Sequence, residues 1–201
     1  MEFLFNSLLA HTGLGAGLST FAGIRAFLPL AIVGLVSRLD LFEAVEVGGT
    51  GYGFLENTWV LVLFFVLSTV EIAADKVPLV DTVQDFLATP VRVVAGGILF
   101  GAMMANEETA AMVAGLIGGG ILAGVTSGIK GVIRPGATVA GGGSVNPFLS
   151  FFEDVTTAFG TLLVILVPVL GLLVVAFVVF LVYRLRRRRR KKYEGLRILR
   201  E

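Results

Sequence analysis

Residues 67–90 read LSTVEIAADKVPLVDTVQDFLATP, and this stretch decides how the chain folds. It follows the apolar run TWVLVLFFVLSTV and places acids, a lysine and a proline directly behind it. Glu71 and Asp75 lie four residues apart, so they share one face of a helix. The same spacing relates Asp81 to Asp85. The proline between the two pairs breaks or kinks the helix.

Two interpretations of this stretch are open. A charged side chain deep in a bilayer costs about 2.5–3.5 kcal/mol on insertion scales, so such charges usually face the bundle interior and mark a functional site. Alternatively, the helix ends near Ala74 and the charges lie at the membrane surface, where they need no function.

The composition is that of a membrane protein. Of the 201 residues, 56% are hydrophobic and 15% are charged, and the mean hydropathy is +0.91. A soluble domain has about 25% charged residues, and several apolar runs here approach the ~20 residues that span a bilayer. We therefore predict an all-α, polytopic transmembrane helix bundle of about five spans, with one or two broken or re-entrant helices. Residues 1–183 form its single transmembrane domain.

A basic run follows the last apolar segment. Eight of the 16 Lys and Arg residues lie in RLRRRRRKK at 184–192. The positive-inside rule makes 184–201 a cytoplasmic tail of a multi-pass protein of the cell (inner) membrane. We expect it to contact anionic lipid headgroups as well as the bilayer. Nucleic acid is not an expected partner, because a basic cluster beside a span is more often a topology signal.

Two further segments define expected helices. The first long apolar segment covers 18–36, with Arg25 near its start. The later segment 110–133 is rich in glycine and alanine. Small residues at this density let helices approach closely, which makes a homodimer plausible.

Residues 146–183 form an apolar pattern that is too long for one simple span. Asn146 reads as an N-cap that is followed by proline at the first helical position. We predict a short or re-entrant helix over 147–158 and a span over 161–183, with the interruption near Gly160.

Two short motifs resemble each other. Residues 22–29, AGIRAFLP, and 127–135, SGIKGVIRP, both carry Gly, Ile, a basic residue and then Pro. Two related halves with interrupted helices are typical of secondary transporters, whose site lies between the halves. A chance match in a glycine-rich apolar chain is the alternative. In the pseudo-repeat interpretation, two basic residues face four carboxylates, and pairing offsets much of their burial cost. These residues are Arg25, Lys130, Glu71, Asp75, Glu153 and Asp154.

Three motifs together resemble a known family. They are AGIRAFLPL at 22–30, EIAADKVPLVD at 71–81 with Asp85, and NPFLSFFED at 146–154. The chain resembles an uncharacterised family of small bacterial integral membrane proteins, domain of unknown function four-one-two-six. The resemblance implies a helical membrane protein built around these polar motifs, and it implies no established reaction or substrate. The basic run is not part of the family pattern.

The first functional hypothesis is a small transporter or an ion- or proton-coupled permeation protein. Carboxylates inside membranes commonly relay protons, so Glu71 and Asp75 would bind or relay a proton or cation. The basic residues would be counter-charges or would contact an anionic substrate. The candidate binding residues are Arg25, Glu71, Asp75, Lys76, Asp81, Asp85, Lys130, Asn146, Glu153 and Asp154.

Two alternatives are open. In one, the ion pairs only fix helix packing in a structural or assembly protein. In the other, the chain is a membrane-embedded enzyme acting on lipid or isoprenoid phosphates. Asp81 and Asp85 would hold Mg²⁺, and Arg92 or Lys76 would bind the phosphate. A lone Asp-x-x-x-Asp spacing is a weak signal, and there is no cysteine and only His11, without a motif. We therefore favour a function other than catalysis.

Overall fold

The computed structural model describes residues 8–75, 78–141 and 146–198, and the side chains of 8–75, 87–133 and 147–187. Within these ranges the chain is helical and contains no strand, which confirms the predicted all-α fold class. The helices are α1 (Leu8–Ala22), α2 (Phe27–Arg38), α3 (Thr58–Ala74), α4 (Pro78–Met103), α5 (Thr109–Gly141), α6 (Asn146–Leu166) and α7 (Val169–Ile198). Two short 3-10 turns, Glu43–Val45 and Gly53–Glu56, lie between α2 and α3.

The helix bundle has two distinct ends. At one end, the Tyr52 hydroxyl packs against Gly101 of α4. The loop 39–57 therefore lies near the α4–α5 turn, which carries Glu107. At the other end, α7 carries Arg184 and the basic residues that follow it. We call these the loop end and the basic end. From α3 onward the helices alternate in direction, so α3, α5 and α7 run toward the basic end.

The first two helices form a hairpin with its tip inside the bundle. α1 starts at the loop end, where His11 Nδ1 lies 3.1 Å from Glu107 Oε1. α2 returns to the loop end, where Ser37 Oγ donates a hydrogen bond to Glu56 Oε1 at 2.6 Å. The turn 23–26 joins the two helices at their opposite ends. The hairpin therefore presents this turn to the helices that surround it.

The turn corrects the prediction of one apolar segment over 18–36. Apolar patterning does not reveal such a break, because its freed backbone groups are satisfied by side chains from other helices. Pro29 lies in the first turn of α2, where its missing N–H breaks no helical hydrogen bond.

Glycines allow the closest helix contacts. A Cβ atom added to Gly96 of α4 would lie 2.7 Å from the carbonyl oxygen of Gly119 in α5. A Cβ added to Gly17 of α1 would lie 2.7 Å from the Cα atom of Gly171 in α7. Larger residues at these positions would push the backbones apart. The predicted close packing of segment 110–133 is thus confirmed, whereas the homodimer stays a prediction.

The boundary between α6 and α7 corrects a second prediction. We expected a short or re-entrant helix over 147–158 and a span over 161–183. Instead α6 is one continuous helix, and the break lies at Pro168, whose missing N–H ends regular helical hydrogen bonding. Gly160 remains helical, and the Phe21 ring occupies the space where a side chain would be. The glycine therefore provides room for α1 and does not interrupt α6.

Three described helices are long and apolar enough to cross a membrane: Thr109–Ile133, Pro147–Leu166 and Val169–Arg187. Phe27–Arg38 and Thr58–Ala74 are apolar but shorter, and Leu87–Met103, the part of α4 with described side chains, is also apolar. The fold is therefore compatible with an integral membrane protein, and the count of about five spans stays a prediction. The basic run continues α7 without a break, so the last apolar helix and the basic residues form one element.

We expect Ser37→Ala to destabilise the loop end by about 1–3 kcal/mol, the cost of leaving buried hydrogen-bonding groups unsatisfied. Ser37 is 2% exposed, donates to Glu56 and accepts a hydrogen bond from the Val47 backbone N–H at 2.9 Å. Denaturant unfolding in detergent and proteolysis of the loop 39–57 would measure the effect. Thr69→Ala is the control, because the exposed Thr69 hydroxyl bonds only within α3. Equal stability of the two variants would contradict the prediction.

Candidate functional site: a buried charge cluster at the hairpin tip

The turn at the tip of the α1–α2 hairpin leaves two backbone groups that form hydrogen bonds with side chains of other helices. The carbonyl oxygen of Ile24 accepts a hydrogen bond from Lys130 Nζ at 3.5 Å. The N–H of Ala26 donates to both carboxylate oxygens of Glu71, at 3.3 and 3.1 Å. Ala26 is the N-cap residue of α2 and provides no side-chain cap. Glu71 therefore caps α2 from another helix, where its negative charge also matches the helix dipole.

Arg25, between these two residues, connects α3 to α6. Its Nη1 lies 2.5 Å from Asp75 Oδ2 and donates to the Glu71 carbonyl oxygen at 3.2 Å. Its Nη2 lies 2.6 Å from Asp154 Oδ1 and donates to Ser150 Oγ at 2.9 Å. The Arg25 side chain is fully buried. A planar guanidinium with several donors suits this position, because it binds acceptors on two sides at once.

Lys130 of α5 joins the same carboxylates from another direction. Its Nζ lies 3.4 Å from Asp75 Oδ2 and 3.1 Å from Glu153 Oε2. Arg25 Nη2 is 4.0 Å from that same Glu153 oxygen. Asp75 and Glu153 are therefore each shared between the two cations, and α3, α5, α6 and the hairpin tip are connected through four side chains.

Arg92 of α4 extends the network. Its Nη2 lies 3.4 Å from Glu71 Oε1, and its Nη1 donates to Ser127 Oγ at 3.3 Å. The Ser127 hydroxyl is also 3.1 Å from the Thr89 hydroxyl of α4. Glu71 thus holds the start of α2 and Arg92 at the same time.

We call this set the charge cluster, and it combines three cations with four carboxylates. Its members are Arg25, Arg92, Lys130, Glu71, Asp75, Glu153 and Asp154. Most of these side chains are at most 5% exposed, whereas those of Glu153 and Asp154 are 14% and 16% exposed. The α6 carboxylates are therefore the members that solvent reaches most easily.

The cluster lies closer to the basic end than to the loop end. It meets α3 at its last residues and α6 in its first turns. Lys130 is three residues from Ile133, where the apolar run of the sequence gives way to Arg134 and Pro135. If the basic end is cytoplasmic, as the positive-inside rule predicts, the cluster lies in the cytoplasmic half of the apolar layer and not at its midplane.

The structure brings together six of the residues that the sequence singled out: Arg25, Glu71, Asp75, Lys130, Glu153 and Asp154. Lys76 lies outside the described residues, as do the side chains of Asp81, Asp85 and Asn146. The role of all ten as binding residues stays a prediction.

The alternative of merely interfacial charges is half right. α3 does end at Ala74. However, Glu71 and Asp75 are buried among cations of other helices, so the charges are not simply exposed at the end of a span.

Three members of the network were missing from the predicted binding residues. Arg92 entered only as a phosphate contact, and Ser127 and Ser150 entered only as parts of the motifs at 127–135 and 146–154, without a binding role. The spacing of both serines in the sequence indicates that they could join the network. Ser127 lies one turn before Lys130, and Ser150 lies one turn before Asp154, so each shares a helix face with a charged member.

The described side chains contain no group of three or more His, Cys, Asp or Glu residues that could hold a metal ion. The predicted magnesium ligands, Asp81 and Asp85, lie outside those side chains. The magnesium hypothesis therefore stays a prediction, and the four carboxylates of the cluster are arranged around cationic side chains.

These features define an all-helical protein with apolar helices and a buried charge cluster at the tip of a helical hairpin. The chain belongs to the family described as Domain of unknown function (DUF4126), whose model matches residues 12–188. This confirms the resemblance. The match includes the first residues of the basic run, which we had placed outside the family pattern. No curated protein and no solved structure matches the chain.

Proposed function

We propose that this protein is a small membrane permeation protein that conducts or couples to protons or small cations through the charge cluster. One observation carries the proposal. The break between α1 and α2, its arginine and carboxylates from two further helices meet in one buried cluster.

The hairpin tip resembles the broken helices of transporters in its chemistry. In such proteins the N-terminus of a half-helix faces anionic groups, and unwound carbonyl oxygens face cations. Here the start of α2 faces the Glu71 carboxylate, and the freed carbonyl of Ile24 faces the Lys130 ammonium. In the free protein, side chains occupy the positions that a transported ion would take. Ion passage then requires these pairs to exchange partners.

The most accessible groups of the cluster favour a proton or cation over an anion, because carboxylates inside membranes commonly relay protons. Glu153 and Asp154 are its most accessible acids. The proton or cation would therefore enter the cluster at these two carboxylates.

The resemblance between 22–29 and 127–135 supports this arrangement only in part. The basic residues of both motifs, Arg25 and Lys130, contact the same Asp75 oxygen. Their backbones differ, because Arg25 lies in a turn and Lys130 lies within α5. We therefore propose functional equivalence of the two cations, with a structural pseudo-repeat as a further hypothesis.

A structural or assembly role is the second candidate. It is favoured by the way in which each ion pair of the cluster joins two different elements, including α3 to α4 and α5 to α6. In that case the cluster would hold the helices together and conduct nothing.

A flux assay on Asp154→Asn separates the two functions. We expect the purified protein to accelerate cation entry into liposomes under an imposed membrane potential, measured for H⁺ with a trapped pH dye and for Na⁺ and K⁺ with trapped indicators of those ions. Asp154→Asn keeps a hydrogen-bond acceptor near Arg25 but removes the charge, so we expect flux to fall to the protein-free level. Glu46→Gln removes an exposed carboxylate at the loop end and should leave flux unchanged.

Two results would overturn the permeation proposal. One is wild-type flux of H⁺, Na⁺ and K⁺ equal to that of empty vesicles. The other is unaltered flux in Asp154→Asn. A large loss of thermal stability in Asp154→Asn, together with absent wild-type flux, would establish the structural role.

A further inference from the structure

Two adjoining apolar cavities lie along α7 on the side of α6. Near the basic end, a cavity of about 370 Å³ lies between α1, α5, α6 and α7, and its walls include Ile133, Leu149 and Leu181. A second cavity of about 300 Å³ lies between α6 and α7, against Phe21 of α1. The two cavities share Phe21, Val174 and Phe177, and we call the pair the groove.

The groove exists because α7 packs mainly on α1 and only slightly on α6. α7 approaches α1 closely at Gly171, and among the described residues its contacts with α5 and α6 are sparse. Phe177 and Ile133 are 59% and 45% exposed, so apolar surface is open along the groove.

The length of the groove suits one hydrocarbon chain. It extends along α7 from Leu181 to Leu170, which is about 16 Å at 1.5 Å per helical residue. One leaflet of a bilayer is about 15 Å of hydrocarbon, half of the whole core. The hydroxyls of Thr20 and Thr126 bond carbonyls of their own helices, so these two residues offer no free donor to the groove.

The mouth of the groove is polar and mainly positive. Arg184 is exposed, lies three residues after Leu181 and therefore shares its face of α7. Lys130 and Glu153 line the groove deeper inside and are paired with each other at 3.1 Å. Arg186 is also exposed but lies on the opposite face of α7 from Arg184, whereas the exposed Arg187 lies one turn beyond Arg184.

We propose that this groove binds one anionic phospholipid, with an acyl chain between α6 and α7 and the phosphate at Arg184. The ester region of the lipid would then reach the Lys130–Glu153 pair at the edge of the charge cluster. The assignment rests on charge complementarity at the mouth and on the chain-like dimensions of the groove. It is independent of ion permeation.

Photo-crosslinking with matched lipids tests the proposal. Purified protein would be labelled with phosphatidylglycerol or phosphatidylcholine that carries the same photoreactive acyl chain, and mass spectrometry would locate the adducts. We expect adducts on the α7 and α5 segments that line the groove. We also expect about fivefold stronger labelling by phosphatidylglycerol, the effect of one Lys or Arg at an anionic surface.

Two pairs of variants act as matched controls. Arg184→Gln should lower phosphatidylglycerol labelling to the phosphatidylcholine level, whereas Arg186→Gln should not. Ile133→Trp should fill the groove and reduce labelling by both lipids, whereas Val132→Trp, on the neighbouring face, should not. Thermal melting would confirm that all four variants fold.

Several outcomes would overturn the assignment. Equal loss in Arg184→Gln and Arg186→Gln would mean that the basic run attracts anionic lipid without a defined site. Adducts outside the groove, or unchanged labelling in Ile133→Trp, would mean that the acyl chain does not occupy the groove. Absence of lipid adducts in the groove, together with a dimer of the purified protein in detergent, would assign the groove to a second copy of the chain.

Discussion

Arg25→Met is expected to lower the stability of the folded protein by about 3–5 kcal/mol, the cost of breaking a buried ion pair by removing one partner. Methionine keeps the apolar stem of the side chain and removes the guanidinium group, so most of the loss reflects the missing charge and its hydrogen bonds. Asp75 and Asp154 would keep their negative charges without the nearest cation, at 2.5 and 2.6 Å in the native protein. Ser150 would also lose a donor.

Thermal and denaturant unfolding in detergent would measure this effect. Arg38→Met is the matched control, because Arg38 is exposed and bonds only the Glu56 carbonyl and the Thr58 hydroxyl at the loop end. It should cost less than about 1 kcal/mol, as expected for surface substitutions. Equal effects of the two substitutions would refute the central structural role of Arg25.

A double variant gives a sharper test. Arg25→Met combined with Asp154→Asn removes a cation and one of the carboxylates it faces. Because the two side chains interact directly, their effects should not add, and the double variant should be more stable than Arg25→Met alone. Strict additivity would mean that the 2.6 Å contact contributes no coupling.

The main features of the charge cluster could be predicted from the sequence because a buried charge needs a partner. Arg25 and Lys130 are cations in apolar segments, Glu71, Glu153 and Asp154 are acids within apolar patterns, and Asp75 follows Glu71 by one helical turn. Few other pairings would give each of these buried charges a partner of opposite sign. The structure adds the geometry, in which Asp75 serves both cations.

The hairpin could not be predicted for a physical reason. Residues 23–26 are no more polar than their neighbours apart from Arg25, and their backbone groups are satisfied from distant positions by Glu71 and Lys130. Hydropathy and local propensity report only local interactions. For the same reason, the sequence pattern predicted the α6–α7 break near Gly160. A glycine that makes room for Phe21 looks the same in sequence as a glycine that ends a helix.

The motifs at 22–29 and 127–135 lead to a second expectation, in which equivalent glycines respond in opposite directions. Gly23 and Gly128 occupy matching positions, each two residues before the basic residue. Gly23→Ala should destabilise the protein by about 1–3 kcal/mol, the usual cost of overpacking. Gly128→Ala should stabilise it by about 0.5–1 kcal/mol, because alanine in a helix loses less backbone entropy on folding.

The opposite signs follow from what each added methyl group would meet. A Cβ on Gly23 would lie 2.5 Å from the carbonyl oxygen and 3.0 Å from the Cα atom of Ala123, so the α5 backbone itself would have to move. A Cβ on Gly128 would meet nothing within 4 Å. Moving α5 away from the hairpin tip would also lengthen the contact from Lys130 to the Ile24 carbonyl, now 3.5 Å. Gly23→Ala should therefore reduce ion flux as well as stability, and Gly128→Ala should leave flux intact. Unfolding curves and the liposome assay on both variants would check this. Similar shifts of the same sign would contradict the close approach of the hairpin tip to α5, on which the arrangement of the charge cluster depends.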